Sequence, residues 1–507
     1  VTTPPAGPPP ARGHGAGAAL PPGGARILTV LLVPLFMSLM SVSIVNVALP
    51  AIEQDLGASA ADLQWVLAGY SLAFGVSMVP AGRAGDLWGR KPLFITGILV
   101  FVTGSLASGL AGDPLVLNLA RILMGLGSGL LNPQIIGIIQ NVFHGRARGR
   151  AYGMLGTIVG LGVSIGPTLG GVFVDVLGPE WGWRATFLVN VPIGLLAAAL
   201  TAYWLHPPAR PRSAEADRSL AALDPVGALL LAAAVVGIMV PFILPGTWFL
   251  LAASAAFAGL WWWWEARMKS RQAATGRAPM VDPSLFRIPS FTIGTVATAA
   301  FLAATPGLWA VQAIVTQQGL GLPALAAGLT SLPASLLIMV LSPTIGGFVH
   351  RFGPVFVVAG ALLSLVAMAL GGTAFQRIAA GEWPYWTLAA ALALLGPAQA
   401  LVMTSTQVLT MHDVPLRAAG AAGGVSQTAQ RVMTAIGLAA VTAAFYAALG
   451  VRGDGAEPGQ LVYGEAAVAA VAVVAGFLSV TLLAGVVDLL RRRRDGTLSL
   501  QDDSPAG

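Results

Sequence analysis

Runs of about twenty apolar residues recur along this chain from Arg26 to Asp488, and a bilayer core roughly 30 Å thick needs a helix of about that length to cross it. The first run, Ile27 to Pro50, is almost continuously apolar. Strands of a transmembrane barrel would instead alternate over segments of about 10 residues, so the barrel is discarded and an all-α membrane protein is expected. The charged fraction agrees: 9% of the chain, against about 25% in soluble domains. Fourteen spans are expected, at residues 26–50, 64–83, 92–111, 115–141, 151–175, 184–206, 223–245, 247–266, 291–314, 324–347, 354–373, 384–411, 420–449 and 465–488.

An even number of passes puts both termini on one side, and the cluster Arg491, Arg492, Arg493 and Arg494 just past the last span assigns that side to the cytoplasm. With that orientation 22 of the 27 basic residues fall on the inner side, Arg184, Arg377 and Arg452 lie outside, and Arg121 and Arg431 lie within spans. The formal charge of +6 therefore reports topology, not a nucleic-acid partner. Residues 1–25 are rich in Pro, Gly and Ala and read as a disordered cytoplasmic tail, and no cleavage pattern follows the first span, which is kept as a helix. The stretch Gly82 to Lys91, after the second span, has a weak echo in Gly346 to Gly353, after the tenth. This repeat divides the chain into a six-helix bundle at 26–206, a cytoplasmic linker with two inserted helices at 207–268, a cytoplasmic loop with a second six-helix bundle at 269–490, and a basic then polar tail at 491–507.

Several chemistries are excluded. The chain has no cysteine, so no disulfide or thiolate site exists. Its lysines, Lys91 and Lys269, lack the glycine-rich context of a phosphate-binding loop. His14, His144, His206, His350 and His412 are scattered in tails and loops without metal-ligand spacing. Neither an enzyme, a metal site nor a cofactor is expected.

Gly162, Gly166 and Gly170 are spaced by four, which lines them on one helix face and admits a close neighbour, while Pro167 removes a backbone donor and bends the span. This Gly153 to Gly171 pattern resembles the antiporter motif of the fourteen-helix drug:proton antiporter branch of the major facilitator superfamily. Gly82 to Lys91 resembles that superfamily's loop between helices 2 and 3. Ile44 to Pro50, Leu119-x-Arg121-x-x-x-Gly125, and Trp183-Arg184 with Asn190 to Gly194 resemble its helices 1, 4 and 6. The heavy use of Ala, Gly, Pro and Arg resembles a high-GC bacterium.

The resemblance implies a major facilitator fold in a bacterial cytoplasmic membrane, acting as a monomeric secondary exporter of drugs, antibiotics or other small hydrophobic molecules by alternating access, with protons as partner. It also implies a gating latch at Asp86, Arg90 and Lys91 and a role in proton transfer for Arg121. Where the family carries an aspartate near the end of helix 1, this chain has Ser41. None of the 21 acidic residues lies mid-span, which leaves Asp86 and Asp175 as proton candidates.

That absence opens an alternative: Arg121 builds a positive cavity for an anionic substrate, whose exit the membrane potential favours by about 2.3 kcal/mol per charge per 100 mV. The bland reading satisfies Arg121 with backbone carbonyls and side chains such as Asn132 or Gln134. Substrate-contact candidates at membrane depth are Ser41, Asn46, Tyr70, Asn132, Gln134, Asn190, Gln312, Gln407 and Arg431, each also able to serve as interhelical glue. Trp261 to Trp264 read as an interfacial anchor. A nontransporting receptor or lipid-handling protein on the same fold is the remaining class.

Overall fold

The computed structural model describes residues 23–205, 220–242, 244, 246–275, 278–450 and 459–497. The expected tail up to residue 22, most of the linker before the inserted helices, and the polar end of the chain lie outside the described residues. Among the described residues all regular structure is helical: α1 Gly24–Leu56, α2 Ala60–Trp88, α3 Arg90–Gly109, α4 Pro114–Val142, α5 Gly145–Leu188, α6 Asn190–Trp204 and α7 Pro225–Met239. There follow α8 Leu250–Thr275, α9 Pro289–Ile314, α10 Ala324–Ala379, α11 Trp386–Ala393, α12 Leu395–His412, α13 Ala419–Gly450 and α14 Gln460–Arg494. Among the described residues eleven stretches are long and apolar enough to cross a membrane. α8 is not among them, because Trp261 to Trp264 and the charges after them dilute its apolar first half.

Local chemistry sets where the chain stops and turns. Ser59 and Asp62 form a reciprocal capping box that opens α2, and Asp113 accepts from the Val116 amide to open α4. One residue, Gly89, joins α2 to α3; its φ of 109° is open only to glycine at low cost.

Two helices are longer than one crossing, and both double back. α5 breaks at Gly178, where φ is 79°, and a Cβ on Gly182 would collide with the Val174 backbone, so the chain after the break returns along the chain before it. α10 runs 56 residues, straight through the Gly346 to Gly353 stretch expected as a loop, with no positive φ there to break the helical assignment. It is nevertheless folded. Ala334 touches Gly396 and Gly360 touches Ala398, two residues apart on α12, whereas a straight helix would hold Ala334 and Gly360 about 39 Å apart.

Within the first six helices α1 packs on α5, and α4 packs on α2 and α3; later in the chain α9 packs on α13 and α14, and α10 on α12 and α14. The two groups meet where α2 crosses α13 and where α5 crosses α10, while α7 and α8 pair with each other, α7 lying against α2. One buried apolar cluster, around Tyr70, Phe101 and Trp183, belongs to the first group, and another, around Phe375 and Phe445, to the second. A third straddles both, from Leu28 and Phe143 to Phe291 and Val408.

Small residues make these crossings tight, since lipid supplies no hydrophobic force between helices and close packing must hold them. A Cβ on Gly104 of α3 would lie 2.7 Å from the Met124 amide of α4. On Gly437 of α13 it would run into the Ala303 carbonyl of α9. Gly437→Val is expected to force α9 and α13 apart and to destabilise the protein by about 1–3 kcal/mol, read as a lower melting temperature in detergent. Gly476→Ala, with nothing within 4 Å of the new methyl, is expected to melt like the parent.

Candidate functional site

At one end of the bundle α13 begins with backbone N–H groups that have no partner within the helix, and the carboxylate of Asp86, from the end of α2, meets them. Its oxygens accept from the Gly420 amide at 3.2 Å and the Ala421 amide at 3.0 Å, a placement that the positive end of a helix dipole favours. Arg90 completes the junction. It donates to Asp86 at 2.9 Å, to the Leu416 carbonyl at 3.0 Å and to the Gly137 carbonyl, so α2, α3, α4 and the start of α13 converge on one ion pair. Both side chains are about nineteen-twentieths buried. Gly82 and Gly420 lie carbonyl against Cα, and neither could carry a Cβ without displacing the other. Lys91, grouped with this pair from sequence, turns away and donates to the Ala202 carbonyl at the end of α6.

A matching contact closes the other side of the same end. Gly149 of α5 and Gly346 of α10 touch backbone to backbone in the same way. Arg146 donates to His350 at 3.2 Å, and Gln140 of α4 donates to the Met411 carbonyl of α12 at 3.2 Å. Gly162, Gly166 and Gly170 pack within the first group of helices instead. They lie along Leu39, Ser43 and Ile44 of α1, and Ser43 donates to the Gly162 carbonyl at 2.9 Å. Pro167 is on this helix; its side chain lies outside the described residues.

The second candidate region is inside the first group of helices. Arg121 of α4 is 1% exposed and donates to the Val66 carbonyl at 2.9 Å and the Ser41 carbonyl at 3.3 Å. Its guanidinium lies over the Tyr70 ring at 4.4 Å. The Tyr70 hydroxyl contacts the Ser38 carbonyl at 2.8 Å and the Ser128 hydroxyl at 2.7 Å. Asn190 donates to the hydroxyls of Ser41 and Ser105 at 3.3 and 3.1 Å. Ser41, Tyr70, Arg121 and Asn190, far apart in sequence, thus form one polar knot. Arg121 is held by backbone carbonyls, with neither Asn132 nor Gln134 among its partners.

Other candidates lie apart from the knot. Asn132 bonds within its own helix, Gln134 donates to Ala81 on α2, and Gln312 ties α9 to α10 through Thr330 and the Ala327 carbonyl. Asn46 is exposed and bonds within α1, and Asp175 is exposed near the far end of α5. Gln407, on α12, is buried. Arg431 of α13 reaches across to α2, where its guanidinium lies over Phe74 at 4.4 Å; Phe74 in turn is 5.8 Å from Tyr70. A ladder Arg121, Tyr70, Phe74, Arg431 results, with a cation at each end from a different group of helices.

Sequence reading missed three contacts. Asp55 at the end of α1 accepts from both Trp183, at 3.0 Å, and Arg184, at 2.9 Å. Asp224, with φ at 55°, caps α7 and accepts from the Trp264 indole at 2.9 Å, so the last ring of the tryptophan run bonds inward while Trp262 and Trp263 face out. Glu265 beside it is fully buried and accepts from the Val281 amide at 3.4 Å. Trp264 and Glu265 follow an apolar run, which reads as a membrane edge and conceals a polar partner on another helix.

These features define a multi-pass α-helical membrane protein whose two groups of helices are joined by charges and glycines at one end. The sequence profile of the Major Facilitator Superfamily matches residues 31–233 and 219–438, and the chain belongs to that family. It is 31% identical over 452 residues to a protein named "Probable actinorhodin transporter" from Streptomyces coelicolor, covering 85% of this chain and 75% of the relative. It is 30% identical over 422 residues to the "Tetracenomycin C resistance and export protein" of Streptomyces glaucescens, covering 81% and 74%. In fold it is similar to the proton:xylose symporter XylE, with a TM-score of 0.64 and 14% identity over 92% of this chain and 95% of that one.

Arg121→Gln removes the donor that ties α4 to carbonyls of α1 and α2. Hydrogen bonds from a charged donor are worth about 1.5–3 kcal/mol, so a destabilisation of about 2 kcal/mol or more is expected in detergent melting. An unchanged melting temperature would show that the knot does not hold these helices together.

Proposed function

We propose that this protein is a secondary active exporter of small organic compounds of the drug and antibiotic kind, working by alternating access. The carrying observation is the double closure at one end, Asp86 and Arg90 with Gly82 against Gly420 on one side and Gly149 against Gly346 on the other. Contacts that join two groups of helices at one end, through a few hydrogen bonds and bare backbone, are ones that can be made and broken as a unit. The names of the two relatives support transport and, in one case, export.

In this reading residues 26–206 and 269–490 are two six-helix halves, and α7 and α8 are an inserted pair, giving fourteen passes once α5 and α10 are counted as hairpins, the second arm of α5 runs on into α6, and α11 and α12 count as one pass. The Asp86 end faces the cytoplasm of a bacterial cell, with both termini on that side, and the protein acts as a monomer. Asp86, Arg90 and the glycines of α5 are the gating residues, and Asp86 is the proton-sensitive one: a protonated carboxyl loses its charge-assisted hold on Arg90 and on the α13 amides. Asp175 is too exposed to be preferred.

Asp86→Asn tests both gate and export, because it leaves Arg90 buried without its counter-ion, a change that costs about 3–5 kcal/mol in such pairs. The chain has no cysteine of its own, so a cysteine placed at Thr428, whose hydroxyl reaches the Gly75 carbonyl across the two halves, reports opening without background. In the Asp86→Asn background its alkylation by an impermeant maleimide from the cytoplasmic side is expected to rise about tenfold or more, the change that a shift of 1.4 kcal/mol gives. Drug accumulation in cells making this variant should return to the level of cells lacking the protein. Equal accumulation with and without the intact protein, across a panel of drugs, would overturn the exporter reading.

A further inference from the structure

Arg121 and Arg431 are both cations within spans, but they are held differently. Arg121 has two backbone carbonyls. Arg431 has, among the described residues, the Phe74 ring and no hydrogen bond or ion pair. It sits twelve residues into α13 from Ala419, about 18 Å along the helix, and is partly exposed. Three polar side chains beside it on α13 are committed elsewhere: Thr428 to the Gly75 carbonyl, Gln430 to Ser426, and Thr434 to the Gln430 carbonyl. The acids in ion pairs, Asp55, Asp86, Asp282, Glu382, Asp488 and Asp495, pair with other basic residues. From α2 the groups nearest Arg431 are apolar or aromatic: Gly75, Phe74 and, behind it, Tyr70.

We propose that the compound this protein carries is an organic anion with an aromatic or conjugated body, held at the Arg431 guanidinium on the side away from Phe74. The proposal rests on the exporter reading and names its substrate class. A guanidinium with one ring on one side keeps its N–H edge and its other face for a ligand, and an anion whose acidic group stands out of its ring plane satisfies both: the edge by its oxygens, the face by its π-system. Such a ligand binds the side chain by which α13 rests on Phe74 of α2, one helix from each group, so its arrival or departure changes how the two pack. Export of an anion also needs no proton carrier within the spans, because an inside-negative potential drives it outward by roughly 50-fold per charge per 100 mV.

Carboxyfluorescein and tetramethylrhodamine methyl ester share a xanthene body and differ in the sign of their charge, so they form the test pair. The full chain is reconstituted in liposomes with a potassium diffusion potential and no pH gradient. Expected is transport of carboxyfluorescein by the parent, at least a tenfold loss in Arg431→Gln, partial retention in Arg431→Lys, and no comparable effect of either variant on the rhodamine. A parent that moves the rhodamine and not carboxyfluorescein overturns the proposal while the exporter reading stands. So does an equal loss of both dyes in Arg431→Gln and in Arg431→Lys. If the parent moves neither dye, the exporter reading is the one in trouble for such compounds, and fluorescence polarisation with detergent-purified protein decides the site. Carboxyfluorescein binding that Arg431→Gln abolishes upholds it, and absence of binding to the parent overturns it.

Discussion

Everything in this molecule depends on how closely helix backbones approach one another. Lipid is as apolar as a leucine side chain, so burying leucines between helices gains little, and the helices are held by dispersion contacts and a few hydrogen bonds that improve as the axes draw together. Glycines such as Gly104, Gly127, Gly166 and Gly437 serve that purpose, each with a carbonyl, an amide or a side chain of a neighbouring helix where a Cβ would be. The same property lets two pairs of them, Gly82 with Gly420 and Gly149 with Gly346, join the two groups of helices by bare backbone. Without side chains to disentangle, such a contact can part cleanly.

Three arginines inside the bundle, two buried and Arg431 partly exposed, are held in three ways. Arg90 is paired with a carboxylate and shares its remaining donors among carbonyls of other segments. Arg121 has no carboxylate and is held by carbonyls and an aromatic ring, so it acts as a clasp among α1, α2 and α4. Arg431 has the ring alone among the described residues. The graded satisfaction separates an ion pair, a structural tie and an arginine held by a ring.

Much of the architecture was legible in the chain as written. Apolar runs of the right length, with basic residues between them, gave helix positions that agree with α1 to α4, α9, α13 and α14 to within a few residues. The stretch Gly82 to Lys91 located the Asp86 and Arg90 junction, though not the departure of Lys91 to α6. Spacing by four placed Gly162, Gly166 and Gly170 on one face, but nothing in that spacing says which helix lies against it. Candidate residues chosen for polarity alone divided unpredictably, Asn46 at the surface, Gln312 between α9 and α10, Asn190 in the knot with Ser41. An asparagine at membrane depth looks the same in sequence whichever way its helix is turned.

The sequence alone determined the solvent of this protein and the class of its fold, because the length and apolarity of a span are set by the bilayer and need no knowledge of neighbours. It also determined which positions are charged where charge is costly. Only the tertiary structure decided what those charges do. Whether Arg121 or Arg431 meets a carbonyl, a carboxylate or a ring depends on rotations of a few tens of degrees about helix axes, which no periodicity encodes.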